Sequence, residues 1–92
     1  PILMRLNSDL VELCLAALEG RLGEMQVTWD PRAALGVVIA AGGYPDTYEK
    51  GHVIHGLEAA AQVRDTKVFH AGTALKAGQT ITQGGRVLCV TA

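Results

Sequence analysis

The stretch LGVVIAAGGYP, residues 35–45, sets a β-branched run directly against two glycines and a Tyr-Pro turn. Val37, Val38 and Ile39 carry strand propensity, which predicts a strand over residues 33–41. The run is apolar without alternation, so both of its faces are expected to be buried. Gly42 and Gly43 end it, and Tyr44, Pro45 and Asp46 form the turn that follows.

Upstream, Asn7, Ser8 and Asp9 offer three helix N-caps in a row, and Asp9 with Glu12 has capping-box spacing. Leu10, Leu13, Cys14, Ala17 and Leu18 recur at helical spacing, with Val11 and Leu15 widening the stripe. A helix over residues 9–19 follows, closed by Gly20. Residues 21–31 read as a connector in which Trp29 anchors against the core. Downstream, residues 57–63 are Ala-rich and read as a short helical or loop excursion. Residues 67–71 (KVFHA) make the next strand and end on Gly72 and Thr73. Lys76, Ala77 and Gly78 make a turn. Residues 80–82 and 86–91 flank Gln83, Gly84 and Gly85, which predicts a hairpin closed by the glycine pair. One helix followed by short strands gives an α+β class.

Composition bounds the function. The 92 residues are 49% hydrophobic, 18% charged and only 4% aromatic, the balance of one small globular unit with an aliphatic core. A net charge of −1, with Lys and Arg scattered, argues against nucleic acid or an anionic membrane surface as partner. No apolar run approaches the ~20 residues that span a bilayer. Cys14 and Cys89 lie far apart in apolar segments and read as buried free thiols of a reducing cytosol rather than a disulfide. A first residue of Pro, followed at once by ILM, and an end on VLCVTA predict an excerpt of a longer polypeptide.

The chemistry-bearing residues are few. Gly42, Gly43, Gly72, Gly84 and Gly85 either bring backbone N–H groups to one anion-binding rim or simply end strands. Arg86, at the exit of a glycine turn, either holds a phosphate with paired donors or answers a local carboxylate. His52 and His55 have a spacing found in some metal sites, but no Cys or carboxylate completes a ligand set, and in a strand the rings diverge. No activated nucleophile, Walker loop or dinucleotide fingerprint is present, and Ser8 is best used as a cap. No residue is assigned as catalytic or as a metal ligand.

The pieces RLNSDLVELCLAAL, WDPRAALGVVIAAGGYP, GHVIHGL, KVFHAGTAL and QGGRVLCVTA resemble, in order and spacing, the C-terminal part of the glycinamide ribonucleotide synthetase (phosphoribosylamine–glycine ligase) family of ATP-grasp enzymes. The resemblance covers nearly the whole chain. It implies ligation of glycine to 5-phosphoribosylamine in purine biosynthesis, through an acyl phosphate made from ATP, with Mg²⁺ bridging the nucleotide phosphates. It places residues 1–20 as the end of the ATP-grasp domain. Residues 21–92 are then the C-terminal domain, a small antiparallel half-barrel without its last helix. The nucleotide and metal sites fall upstream, so the excerpt alone is expected to be inactive and to bind neither ATP nor Mg²⁺. The absent ATP-grasp domain is its expected packing partner, and the orphaned Leu-rich helix face predicts self-association. A cytoplasmic location is also implied.

By analogy with related ATP-grasp enzymes, Arg86 with the amides of Gly84 and Gly85 is expected to hold the phosphate of phosphoribosylamine. Gly43, Tyr44 and Pro45 shape the substrate side of the cleft. Asn7 stands where relatives often carry Lys, so no basic role is expected there. The alternatives are a non-catalytic docking module of half-barrel form and the equivalent domain of another ATP-grasp ligase. A carrier domain is disfavoured, because the QGG turn has no modifiable lysine.

Overall fold

A computed structural model describes all residues, 1–92, as two compact units, Pro1–Ala34 and Leu35–Ala92. The first unit holds helix α1 (Leu10–Leu18), flanked by short 3₁₀ turns at Ile2–Arg5 and Leu22–Glu24. Asp9 is the N-cap that forms: its Oδ1 accepts from the N–H groups of Val11 (2.8 Å) and Glu12 (3.2 Å). Gly20, at φ +70°, closes the helix as expected. Ser8 does not cap; its hydroxyl accepts instead from the Thr28 N–H at 2.8 Å. That bond lies beside the Leu6–Trp29 bridge and ties the connector back to the chain start. Trp29 remains 46% exposed, so it is a half-covered strut rather than a core anchor. Within this unit α1 buries only Ala16, while Leu10, Val11, Leu15 and Leu18 stay exposed. Cys14 is exposed too, against the expectation of a buried thiol, because it faces away from Ala16's covered side.

Asp30 holds this unit's one strongly shifted carboxyl. The Arg32 side chain beside it donates to both carboxylate oxygens and the Arg32 N–H donates to one of them as well, lowering the pKa from 3.8 to about 2. The folded carboxyl thus ionises below the unfolded one. Asp30 favours the folded state above pH 3.8, and that contribution fades as the pH falls towards 2. Carboxyl NMR titration is expected to place Asp30 near 2 and to return it towards 3.8 in Arg32→Ala. A midpoint near 3.8 in both proteins would contradict the pairing.

The second unit contains β1 (Gly36–Ala40), α2 (Leu57–Ala61), β2 (Lys67–His70), β3 (Thr73–Lys76), β4 (Gln79–Thr82) and β5 (Arg86–Thr91). One sheet runs β1-β5-β2 and a second pairs β3 with β4, all antiparallel. The class is α+β as expected, but the strands are divided between two sheets and do not close into a barrel. The expected QGG hairpin does not form either. The chain reverses at Ala77 (φ +49°) and Gly78 (φ +76°), a two-residue turn with both residues left-handed, and β4 folds back on β3.

Beyond that turn the two arms continue as one ribbon, β2–β3 against β4–β5, bent where Gly72 meets Gly84. The Gly72 carbonyl accepts from the Gln83 and Gly84 N–H groups at 2.8 and 3.0 Å. The Gly72 N–H donates to Arg86 and Val87 carbonyls at 2.8 and 3.1 Å. A Cβ on Gly72 would stand 2.6 Å from the Gly84 Cα, so the two backbones touch only because both lack side chains. The QGG segment is therefore a bend and not a reversal.

The core sits on the central strand, β5, where Val87, Leu88 and Thr91 are buried, joined by Ile81 of β4. β1 is an edge strand, and its Val37, Val38 and Ile39 are about half exposed within this chain. The predicted burial on both faces is thus not reached: β-branched residues make the strand, and one neighbour, β5, covers only part of it.

Candidate functional site

The two segments singled out by the sequence, residues 43–45 and 84–86, meet at the end of the larger sheet. The Ala41 N–H donates to the Gly85 carbonyl at 2.8 Å, carrying β1 one step past its last pair, Ala40–Arg86. Between Ile39–Leu88 and Ala40–Arg86 the register shifts, leaving Val87 as the extra residue of a β-bulge. Bulges re-aim side chains. Here Val87 turns into the core, 4% exposed, while Arg86 comes out at the sheet end. The Gly72 N–H holds the Arg86 carbonyl from the other side.

The Arg86 side chain makes no hydrogen bond and no ion pair within the chain, so the local-carboxylate reading of this residue is not met. It borders an open cleft of about 560 Å³. Val38, Ala71 and Leu88 give the cleft an apolar side, Cys89 adds a half-buried free thiol, and Gly72 and Gly85 contribute backbone. Tyr44 supplies the aromatic wall. The lining carries one charge, that of Arg86, and no carboxylate. Such a cleft suits an anion attached to a part that tolerates apolar and aromatic contact.

The Tyr44 wall is fixed by its turn. The Tyr44 N–H donates to the Ala41 carbonyl at 3.1 Å, and the Tyr44–Pro45 peptide is cis. Gly43 sits at φ +94° with the Thr47 carbonyl pressed where a side chain would begin, so only glycine fits there. Gly85 is crowded by side chains: a Cβ would meet the Tyr44 ring and, at 3.0 Å, Cε1 of Tyr48. Of the six residues expected at the site, Tyr44, Gly85 and Arg86 therefore line one cleft. Gly43 and Pro45 flank Tyr44 in its turn, and Gly84 is committed to the contact with Gly72. Sequence reasoning missed Ala71, Cys89 and Tyr48. Only pairing of β2 with β5 brings the first of these to the cleft, and no local pattern announces it.

His52 and His55 do not form a site. His52 pairs with Glu49, Nε2 to Oε2 at 3.0 Å, beside a smaller hollow that also touches Gly42 and Thr82. His70 Nδ1 lies 2.9 Å from the Thr73 hydroxyl. No helix is long and apolar enough to cross a membrane.

Comparison with known proteins decides the family. The family described as "Phosphoribosylglycinamide synthetase, C domain" matches residues 34–92, essentially the whole second unit. The chain belongs to the phosphoribosylglycinamide synthetase C-domain family. Among its relatives are the phosphoribosylamine–glycine ligases of Allochromatium vinosum, 64% identical over 92 residues, and of Escherichia coli O157:H7, 63% identical over 93 residues. Each alignment takes in 100% of this chain and 21% of the relative, so the chain spans about a fifth of the length of the curated relatives it matches. The crystal structure of phosphoribosylamine–glycine ligase from Thermotoga maritima is similar over 84% of this chain and 18% of its own, with a TM-score of 0.57 and 41% identity. The synthetase C-domain thus accounts for the antiparallel unit that holds the Tyr44–Arg86 cleft.

Proposed function

We propose that this chain is the C-terminal portion of a phosphoribosylamine–glycine ligase and that its cleft holds the phosphate end of 5-phosphoribosylamine. The observation that supports this most is Arg86: a guanidinium with no protein partner, placed by a bulge and a glycine bend at the rim of a cleft lined by no carboxylate. Its paired N–H donors match two phosphate oxygens, and the Gly85 backbone beside it leaves room for close approach. The Tyr44 ring, with Gly43 and Pro45 setting its turn, bounds the side towards the sugar. Binding there orients the amine of phosphoribosylamine for attack on the activated glycine carboxylate, which is a positioning role.

ATP supplies the phosphoryl group that activates glycine. The donors of this chain do not fit Mg²⁺: no three His, Cys, Asp or Glu side chains stand together, and Asp30 and His52 are engaged with Arg32 and Glu49. In this reading nucleotide and Mg²⁺ are held by other parts of the ligase, and these 92 residues alone are inactive. Residues 1–20 are read as the end of the ATP-grasp domain and residues 21–92 as the C-terminal domain. The exposed leucines of α1 and the half-exposed Val37, Val38 and Ile39 of β1 are the surfaces the rest of the enzyme covers. A cytoplasmic location follows from the purine-synthetic role.

The coding sequence continuous with this chain tests the assignment. It is expected to encode an ATP-grasp domain before Pro1, and the complete protein to form glycinamide ribonucleotide, ADP and phosphate. A complete protein without that domain and without that activity would remove the assignment.

A further inference from the structure

The geometry points to Tyr48 as a positioning residue for substrate binding, acting through Tyr44 and Gly85 on the Arg86 cleft. This deepens the reading of the cleft as the phosphoribosylamine site and rests on it. Tyr48 is not among the residues lining the cleft; it stands behind them. Its ring centroid is 6.4 Å from that of Tyr44, with the planes tilted by 58°, the edge-inclined arrangement in which aromatic pairs attract. Its Cε1 lies against the position a Gly85 side chain would occupy, next to the Tyr44 ring atoms that fill the same space. Both rings thus rest on the glycine immediately before Arg86.

The turn that returns Tyr48 to this place is the one Gly43 permits. With Gly43 at φ +94° and the Thr47 carbonyl packed against it, the chain doubles back within four residues and sets Tyr48 beside Tyr44. On its other side Tyr48 has the Lys50 ammonium over its ring, 5.9 Å from the centroid. Tyr48 is half-buried while Tyr44 is 42% exposed on the cleft side, so the inner ring supports and the outer ring faces the ligand. The Tyr48 hydroxyl makes no hydrogen bond, which leaves the ring itself as the working part. Without that ring, Tyr44 gains room to swing off Gly85, and the cleft wall opposite the ligand loosens.

The test uses the complete ligase and steady-state kinetics with phosphoribosylamine and ATP varied in turn. Tyr48→Leu is expected to raise the KM for phosphoribosylamine about three- to tenfold, within the range spanned by the contribution of one aromatic pair. The KM for ATP and kcat are expected to stay within a factor of two, and Tyr48→Phe to behave as the unaltered enzyme. If Tyr48→Leu does not fold, Tyr48→Met serves in its place, with the same expectation. A lowered unfolding temperature with an unmoved KM for phosphoribosylamine would overturn the proposal, as would a Tyr48→Phe enzyme as defective as the Leu variant. Arg86→Ala, measured in parallel, separates the two claims. If it raises that KM and the Tyr48 variants do not, only the role of Tyr48 falls; if it does not, the cleft reading falls and takes Tyr48 with it.

Discussion

Replacing Arg86 with Ala in the complete ligase is expected to raise the KM for phosphoribosylamine by about 10- to 100-fold, leaving the KM for ATP nearly unchanged. The magnitude follows from the chemistry of the contact. Hydrogen bonds to a charged group contribute ~1.5–3 kcal/mol, and 1.4 kcal/mol is a factor of ten. The guanidinium is free to give that energy to a ligand because no protein carboxylate takes it first. Folding should be little disturbed, since the side chain is exposed and only the backbone of Arg86 joins the sheet. Arg86→Lys should recover only part of the loss, because an ammonium keeps the charge without the paired geometry. An unchanged KM for phosphoribosylamine in Arg86→Ala would remove the phosphate assignment.

Gly72→Ala is expected to cost the fold heavily. Its added Cβ would stand 2.6 Å from the Arg86 carbonyl oxygen and from the Gly84 Cα, and 2.8 Å from the Gly84 nitrogen. All three are backbone atoms of a hydrogen-bonded bend, so nothing flexible can move aside. Overpacking of this kind costs ~1–3 kcal/mol, and the upper end is expected here because the ribbon must open to admit the methyl. The same shift displaces Arg86, whose carbonyl the Gly72 N–H holds, so the KM for phosphoribosylamine should rise as well. Gly42→Ala is the matched control: no atom lies within 4 Å of its added Cβ and its backbone is not left-handed, so stability should move by less than ~0.5 kcal/mol. Denaturant unfolding of the three proteins checks both. Equal midpoints for Gly72→Ala and the unaltered protein would mean that the Gly72–Gly84 bend is not as tight as described.

These two cases mark what the sequence makes legible. Helix α1 could be read almost to the residue, because its cap, its stripe and its closing glycine are local signals. The strand character of residues 36–40 and 67–70 was legible for the same reason. The route of the ribbon was not. Ala77–Gly78 and Gly84–Gly85 both carry turn chemistry, and the choice between them rests on Gly72 touching Gly84, a contact between separate arms of the ribbon. Two residues that lack side chains leave no pattern by which to predict that they meet. The same holds for exposure. Val37, Val38 and Ile39 encode a strand wherever they occur, whereas their burial depends on what stands on either side, and within this chain only β5 adjoins them.

At the site, the family resemblance and the glycine turns pointed to Tyr44, Gly85 and Arg86, which the structure brings to one cleft. The bulge that turns Val87 inward and Arg86 outward is a product of strand pairing and has no sequence mark of its own. Tyr48 carries no sequence mark, because its partner, Gly85, is far along the chain and offers no side chain to pair with. Glycines that are alike in sequence thus have separate tasks: Gly43 sets the Tyr44 turn, Gly72 and Gly84 the bend, and Gly85 the seat of two rings.

The most direct test of the cleft is a binding cycle by calorimetry on the complete ligase, pairing glycinamide ribonucleotide with its dephosphorylated riboside and the unaltered enzyme with Arg86→Ala. The phosphate is expected to strengthen binding about 10- to 100-fold in the unaltered enzyme and to lose most of that advantage in Arg86→Ala, giving a coupling of ~1.5–3 kcal/mol. A phosphate preference that survives intact in Arg86→Ala would contradict the assignment and place the phosphate elsewhere in the enzyme.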